Sequence, residues 1–285
     1  MKSDKKVLIT KASGVIVPFS EEKLKASLKR SGADEIVIAD IVDEIRGKLY
    51  SGIPTKKIYK LAFNKLKEKS KPSAAKYQLK RAIMELGPSG YPFECFIGEI
   101  LKSQGYLTSV GQFVNGECVT HEIDVIAEKD NYYFMIECKY HNLPGTMSDV
   151  KVPLYIQARF KDVEKKWLEI AEHQNKIHQG WVVTNTKFTT DAIKYGTCAG
   201  LHLLSWDYPE KENLKNQIDT LRLYPVTCLT SLTKVEKQKL LDAKIVLCKD
   251  IYENQNLLMK AGVKQTRIST ILNEAGQLLN NGTEK

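Results

Sequence analysis

Residues 118–127 and 132–140 are two apolar, β-branched stretches separated by a turn signal at Lys129-Asp130-Asn131. So short a break pairs them as an antiparallel hairpin. The first stretch carries Asp124 and the second carries Glu137-Cys138-Lys139. Side chains alternate along a strand, so Glu137 and Lys139 leave one face and Cys138 leaves the other. The hairpin brings Asp124 near the Glu137–Lys139 face. Two carboxylates and an amine on one half-buried strand pair are costly unless something compensates. A divalent cation does so, because carboxylate oxygens suit Mg²⁺ or Mn²⁺. The competing reading is an ordinary cross-strand salt bridge on an exposed sheet.

The neighbouring sequence fills in the sheet. Phe93, Phe96, Ile97, Ile100 and Leu101 make a helical stripe closed by Gly105. Residues 106–114 read as a strand ending at Asn115-Gly116, a strong hairpin signal. A helix is expected over 153–176, a strand over 181–184, a helix from Thr189 and a strand over 201–205. The order is α, β, β, β, α, β, α, β. The thiol of Cys138, on the face away from the charges, is expected in the core.

The spacing Asp124-x₁₂-Glu137-x-Lys139 inside that order resembles the PD-(D/E)XK nuclease superfamily. Phe93-Glu94, Gly105-Tyr106 and Ile123-Asp124-Val125-Ile126 are similar to the branch of Mrr-type restriction endonucleases and archaeal Holliday-junction resolvases. Ile123 stands where the naming motif has proline. The resemblance implies that Asp124 and Glu137 are metal ligands. It implies that Lys139 orients or deprotonates the attacking water and that Glu94 completes the cluster through water or a second ion. Gln157 and Arg159, on the next helix, are further candidates to face the site. So is one of His121 and Glu122.

The first ninety residues read differently. Val7–Thr10 and 15–17 are short β-branched runs about Gly14, a small hairpin with Lys11 and Ala12 at its bend. Ser20 ahead of Glu21-Glu22 is an N-cap with acids in the first turn. Ile38, Ile41, Val42, Ile45 and Leu49 give a second helical stripe. Gly52-Ile53-Pro54-Thr55 breaks the chain, with Thr55 expected to cap a third helix. A fourth is expected over 73–86, ended by Gly87-Pro88-Ser89-Gly90. The wording Leu8-Ile9-Thr10-Lys11, Pro18-Phe19-Ser20 and Lys23-Leu24, with Gly52-Ile53-Pro54-Thr55 and Tyr77-x-x-x-Arg81, resembles the ATP-cone. That resemblance implies a nucleotide-sensing domain binding ATP or dATP, with Lys11, Lys23 and Thr55 at the phosphates. Two ammonium groups beside a helix N-terminus suit a triphosphate.

Charge supports a polyanion as partner. The chain carries 43 Lys and Arg against 34 Asp and Glu, a net +9. By segment the net is +10 over residues 1–90, −5 over 91–212 and +4 over 213–285. The basic flanks would attract nucleic acid, and the acidic middle would need metal ions to face a phosphate. The six cysteines contain no Cys-x-x-Cys half-site, and His173 and His178 lack the zincin pattern. No apolar run reaches the roughly 18 residues of a membrane span, and the start lacks the core of a secretory signal. A cytoplasmic protein with reduced thiols is expected.

The expected architecture is α/β and multidomain. A mostly helical ATP-cone (1–88) comes first, then an αβββαβ restriction-endonuclease-like core (89–212), then a helical accessory domain (213–285) with a capped helix after Thr233. The expected function is a Mg²⁺-dependent endodeoxyribonuclease with a nucleotide-sensing domain. DNA and an adenine nucleotide are its partners, no membrane is involved, and the reading admits a homo-oligomer. The alternative is a non-catalytic, nucleotide-responsive DNA-binding regulator.

Overall fold

The structure, a computed structural model, describes residues 7–11 and 13–280; Ala12 of the hairpin bend and the last five residues of the C-terminal segment lie outside the described residues. The chain opens with β1 (Leu8–Thr10) and β2 (Ile16–Pro18), antiparallel with Ile9 opposite Val17. Helices α1 (Glu21–Arg30) and α2 (Glu35–Lys48) follow. Ser20 Oγ accepts from the Lys23 amide at 3.2 Å, and Asp34 Oδ1 accepts from the Val37 amide at 2.8 Å, so both helices start on a side-chain cap. β3 (Ile53–Pro54) joins β1 in parallel and feeds directly into α3 (Thr55–Lys69). Thr55 does not cap that helix. Pro54, held extended by the strand, is the capping residue without a side-chain bond, and Thr55 is the first helical residue.

The expected fourth helix is two helices. α4 (Lys71–Tyr77) and α5 (Leu79–Met84) break at Gln78, whose side-chain Nε2 donates to the carbonyl of Cys228. The packing changes over along this stretch: Ala74 of α4 lies in the small core of Ile9, Leu28, Ile41 and Leu66, whereas Ala75 of α4 and Leu79 and Ile83 of α5 lie in the main core.

The central sheet has the order β10-β8-β6-β5-β4. Helix α6 (Tyr91–Ser103) precedes an antiparallel meander of β4 (Leu107–Asn115), β5 (Thr120–Lys129) and β6 (Tyr132–Lys139). β7 (Met147–Ser148), α7 (Lys151–Leu168), β8 (Ile177–Thr184), β9 (Lys187–Phe188), α8 (Thr190–Cys198) and β10 (His202–Leu204) complete the unit. β8 runs parallel to β6, and β10 runs parallel to β8. α7 ends eight residues before its expected end, and residues 169–176 are turns and bends. The two-residue strands β7 and β9 pair in parallel and are too short for any periodicity to announce them.

Each face of the sheet has its own cover. Phe93, Phe96 and Ile97 of α6 meet Val125, Ala127 and Ile136. Ile156, Phe160 and Trp167 of α7 meet Ile126 and Met135 on the other face. The chain after residue 212 forms α9 (Leu214–Leu221), a 3₁₀ turn at Val226–Cys228, α10 (Lys234–Asp242), α11 (Cys248–Glu253), α12 (Asn256–Lys260) and α13 (Gln265–Asn280). Thr233 and Glu236 make a capping box at the start of α10. Leu214, Ile218, Leu240, Leu247, Ile251 and Ile271 belong to the same continuous core as α6 and α5.

Candidate active site

The β5–β6 ladder ends at the pair Val125↔Ile136, and Asp124 and Glu137 are the next residues along the two strands. Beyond that pair the ladder opens, and the Asp124 carboxylate replaces it: Oδ2 accepts from the backbone N–H of Cys138 at 2.6 Å. On the other side, the pairs Val110↔Val125 and Gln112↔Ile123 bracket Gly111 opposite Asp124. Gly111 has φ 64°, a left-handed conformation that a residue without Cβ adopts readily. The strand turns over at this point. Val125 belongs to the α6 core and Ile123 to the α7 core, although alternation alone would put both on one face. A local kink of this kind re-aims the side chain beside it, and here that side chain is Asp124.

Glu137 and Lys139 share the face that α7 covers. Arg159 of α7 donates from Nη1 to Glu137 Oε2 at 2.6 Å and from Nη2 to the carbonyl of Glu122. The Lys139 side chain is exposed, and its carbonyl accepts from Thr184 Oγ1 at 2.8 Å, which fixes the end of β6. Glu94, in the first turn of α6, lies within the electrostatic reach of this group. Burial pushes its carboxyl up to about 7, with Asp124, Glu122 and Glu137 adding to the shift. Burial likewise raises Glu137 to about 7, with the Asp124 charge next and Arg159 opposing. Asp124 is raised by burial, against the Cys138 N–H and Arg159. The structure therefore gathers Glu94, Asp124, Glu137 and Lys139 in one place. Cys138 is buried, its thiol pushed well up by burial, as a core position requires.

One residue of the network went unnoticed in the sequence. Asp162, one helical turn beyond Arg159, accepts from the amides of Cys118 at 2.8 Å and Val119 at 3.3 Å. It also meets His121 Nε2 at 2.7 Å. With that nitrogen carrying the proton, His121 Nδ1 can accept from Arg159 Nε, 3.5 Å away. Asp162 thus ties the β4–β5 loop to the histidine beside the arginine that holds Glu137. The i, i+3 spacing of Arg159 and Asp162 on α7 was the available signal. A Cβ at Gly116 would collide with the Asp162 carboxylate, so the loop closes on it only with glycine there. Gln157 Oε1 is buried without a hydrogen-bond partner among the described residues.

Among the described residues, no three His, Cys, Asp or Glu side chains converge as metal ligands as they stand. The donor chemistry nevertheless fits a hard cation. One oxygen of each central carboxylate is engaged, by Cys138 N–H and by Arg159. The other oxygens, Asp124 Oδ1 and Glu137 Oε1, have no hydrogen-bond partner among the described residues. Two free carboxylate oxygens, with carboxyls raised by burial and mutual repulsion, are a site short of positive charge.

A second site lies in the N-terminal unit. Lys11, Lys23 and Thr55 line one cleft of about 630 Å³, floored by Ile9, Phe19 and Tyr59. The Tyr59 ring stacks on Tyr77, with centroids 5.0 Å apart and planes 12° from parallel. The Tyr59 hydroxyl is buried without a hydrogen-bond partner among the described residues. The structure thus unites the three expected phosphate-side residues, although Thr55 serves as a helix start rather than a cap.

The comparisons with known proteins agree with this layout. Residues 7–83 match the ATP cone domain family, residues 87–208 match the restriction endonuclease family, and residues 224–279 match the family described as AF1548-like, C-terminal. An uncharacterized protein of Archaeoglobus fulgidus is 35% identical over 184 residues, which span 64% of this chain and 99% of that protein. The crystal structure of a protein of unknown function, AF1548, superposes with a TM-score of 0.56 at 34% identity, covering 67% of this chain and 99% of that one. Among the described residues, no helix is long and apolar enough to cross a membrane.

Proposed function

The chain belongs to the AF1548-like restriction-endonuclease family and adds an ATP cone domain, and from that premise we propose a divalent-metal-dependent DNA endonuclease governed by ATP or dATP. The observation that carries the reading is that Asp124 and Glu137 both stand just beyond the last pair of the β5–β6 ladder, where Asp124 accepts from the Cys138 N–H, with Lys139 on the face of Glu137. Asp124 and Glu137 hold the cation, which when bound supplies charge for the scissile phosphate and lowers the pKa of a coordinated water. Lys139 Nζ orients the attacking water from the exposed end of β6. Glu94, raised to about 7, is suited to exchange a proton with a water near neutral pH. Arg159 holds Glu137 in place and neutralises it until the cation arrives. In the cone, Lys11 and Lys23 meet the phosphates, and Tyr59 offers its buried hydroxyl to the polar groups of the nucleotide.

The test is plasmid cleavage in Mg²⁺ with and without nucleotide. Asp124→Ala and Glu137→Ala should each abolish cleavage while circular dichroism stays that of the parent. Cleavage that survives EDTA overturns the metal reading. DNA binding that responds to nucleotide without any cleavage favours the regulator, in which Arg159 is the permanent counter-ion of Glu137.

A further inference from the structure

Three parts of the chain meet at a second cleft, and it is rich in cations. Its volume is about 260 Å³, less than half of the 630 Å³ nucleotide cleft beside it. Arg30 comes from α1, Lys76 from α4, Lys80 from α5 and Lys215 from α9. Trp206, after β10, forms one wall, and Asp219 is the only carboxylate among the described lining residues. Among the described residues, none of the four cations forms an ion pair. Lys80 lies over the Trp206 ring at 4.6 Å and donates to the carbonyl of Asn185. Burial presses its ammonium down to about 7. Burial also lowers Lys76 and Lys215, and Arg30 adds repulsion at Lys215. Asp219 is itself committed, since it accepts from the Tyr224 hydroxyl at 3.1 Å.

Three positive side chains, and a fourth amine in Lys80 that an anion would hold charged, gathered around one carboxylate leave a site short of negative charge. Partly buried cations are costly unless they are paired. An anion with several oxygens could bridge side chains that belong to three different segments, and charge-assisted bonds of that kind are the strong ones. The small volume suits a diphosphate-sized group and not a nucleic-acid duplex. We propose that this cleft, between the ATP cone and the helices after residue 212, is a second anion site that takes a diphosphate-like group. The two clefts share Ser27, Tyr59 and Tyr77 as lining. The group is therefore either free inorganic diphosphate or the phosphate tail of a nucleotide seated next door. Neither the nuclease reading nor its metal is needed for this assignment.

The probe is inorganic pyrophosphate, titrated by calorimetry into the full-length protein at low salt. Saturable binding is expected, and Arg30→Gln with Lys215→Gln should weaken it roughly tenfold or more, as the loss of charge-assisted contacts implies. Asp219→Asn removes the only competing anion and keeps an acceptor for Tyr224, so it should tighten binding several-fold. Opposite signs from two variants cannot come from damaged folding alone. The double variant Lys11→Ala, Lys23→Ala identifies the source. If pyrophosphate still binds there, and binds alongside ATP in the parent, the ligand is a free diphosphate. If ATP displaces pyrophosphate mole for mole, the ligand is the nucleotide's tail. Both results support the site. Absence of saturable binding at millimolar pyrophosphate, or binding indifferent to both sets of variants, overturns it. So does a loss of duplex-DNA affinity in Arg30→Gln, Lys215→Gln with pyrophosphate binding unchanged.

Discussion

Arg159 Nη1 donates to Glu137 Oε2 at 2.6 Å, between side chains only 12% and 21% exposed, and so supplies the positive charge in direct contact with that carboxylate. Cation and guanidinium then compete for the same charge. Arg159→Ala should therefore destabilise the protein in EDTA by roughly 1.5–3 kcal/mol, the range for a hydrogen bond to a charged group. Mg²⁺ should restore most of that loss, because it replaces the missing charge. Thermal unfolding with and without Mg²⁺ measures it. A variant that gains no more from Mg²⁺ than the parent does would mean that nothing divalent binds beside Glu137.

The raised carboxyls give a pH signature with a definite sign. Glu94 and Glu137 are held near 7, above the ordinary 4.5 of a glutamate, chiefly by burial. The folded state therefore binds protons that the unfolded state has already released. Their contribution to stability is complete below about 4.5 and is lost as pH rises toward 7. In EDTA the melting temperature should fall across that window. A divalent cation needs the ionised carboxylates, so its affinity should rise across the same window and the fall should shrink. Asp162 behaves oppositely. The hydrogen bond from His121 holds it well below the usual range, so its contribution is present above the ordinary carboxylate range and is lost progressively as pH falls below it. Melting curves at stepped pH, in EDTA and in Mg²⁺, separate these effects. A flat EDTA profile between pH 5 and 7 would mean that the two glutamates are not held protonated.

Both expected sites were legible because each rests on local pattern. Asp124, Glu137 and Lys139 sit on strands whose alternation and turn signal appear within twenty-odd residues. Lys11 and Lys23 flank a hairpin and an N-cap that the sequence spells out. What stayed hidden depends on distant partners. Gln78, at the break, bonds through its side chain to a carbonyl at Cys228, 150 residues away. Asp162 matters because of loop amides more than forty residues earlier. Thr55 looked like a cap until a strand claimed Pro54. The packing of the helices after residue 212 stayed hidden for the same reason, because only their assembly on α6 and α5 makes a core.

The nucleotide cleft predicts a graded loss. Lys11 and Lys23 line the same cavity from opposite ends of the β1–β2 hairpin and α1 start. If both meet phosphate oxygens, Lys11→Ala and Lys23→Ala should each weaken ATP binding to the full chain by roughly tenfold or more. Arg159→Ala should leave that affinity unchanged. Calorimetric titration checks it, and equal affinities in all three variants would remove the phosphates from this end of the cleft.

Lys139 distinguishes chemistry from attraction. Its side chain is exposed at the end of β6, on the face of Glu137, inside the segment with a net charge of −5. A single lysine there adds little to the long-range pull on DNA, which the basic flanks provide. Positioned proton transfer contributes typically about 10² to 10⁴-fold in rate. Loss of one phosphate contact instead weakens affinity and flattens its salt dependence by about one unit of slope. Lys139→Ala should therefore slow single-turnover cleavage by at least roughly 10²-fold, the low end of that acid–base range. DNA affinity measured in Ca²⁺, and its salt slope, should barely move. Lys139→Arg keeps the charge but replaces a compact amine with a planar guanidinium of different reach, so it should be nearly as slow as the alanine variant if Lys139 holds the water at one point, and close to the parent if Lys139 only attracts phosphate. A collapse of affinity with the saturated rate intact would make Lys139 a binding residue and leave the water to Glu94.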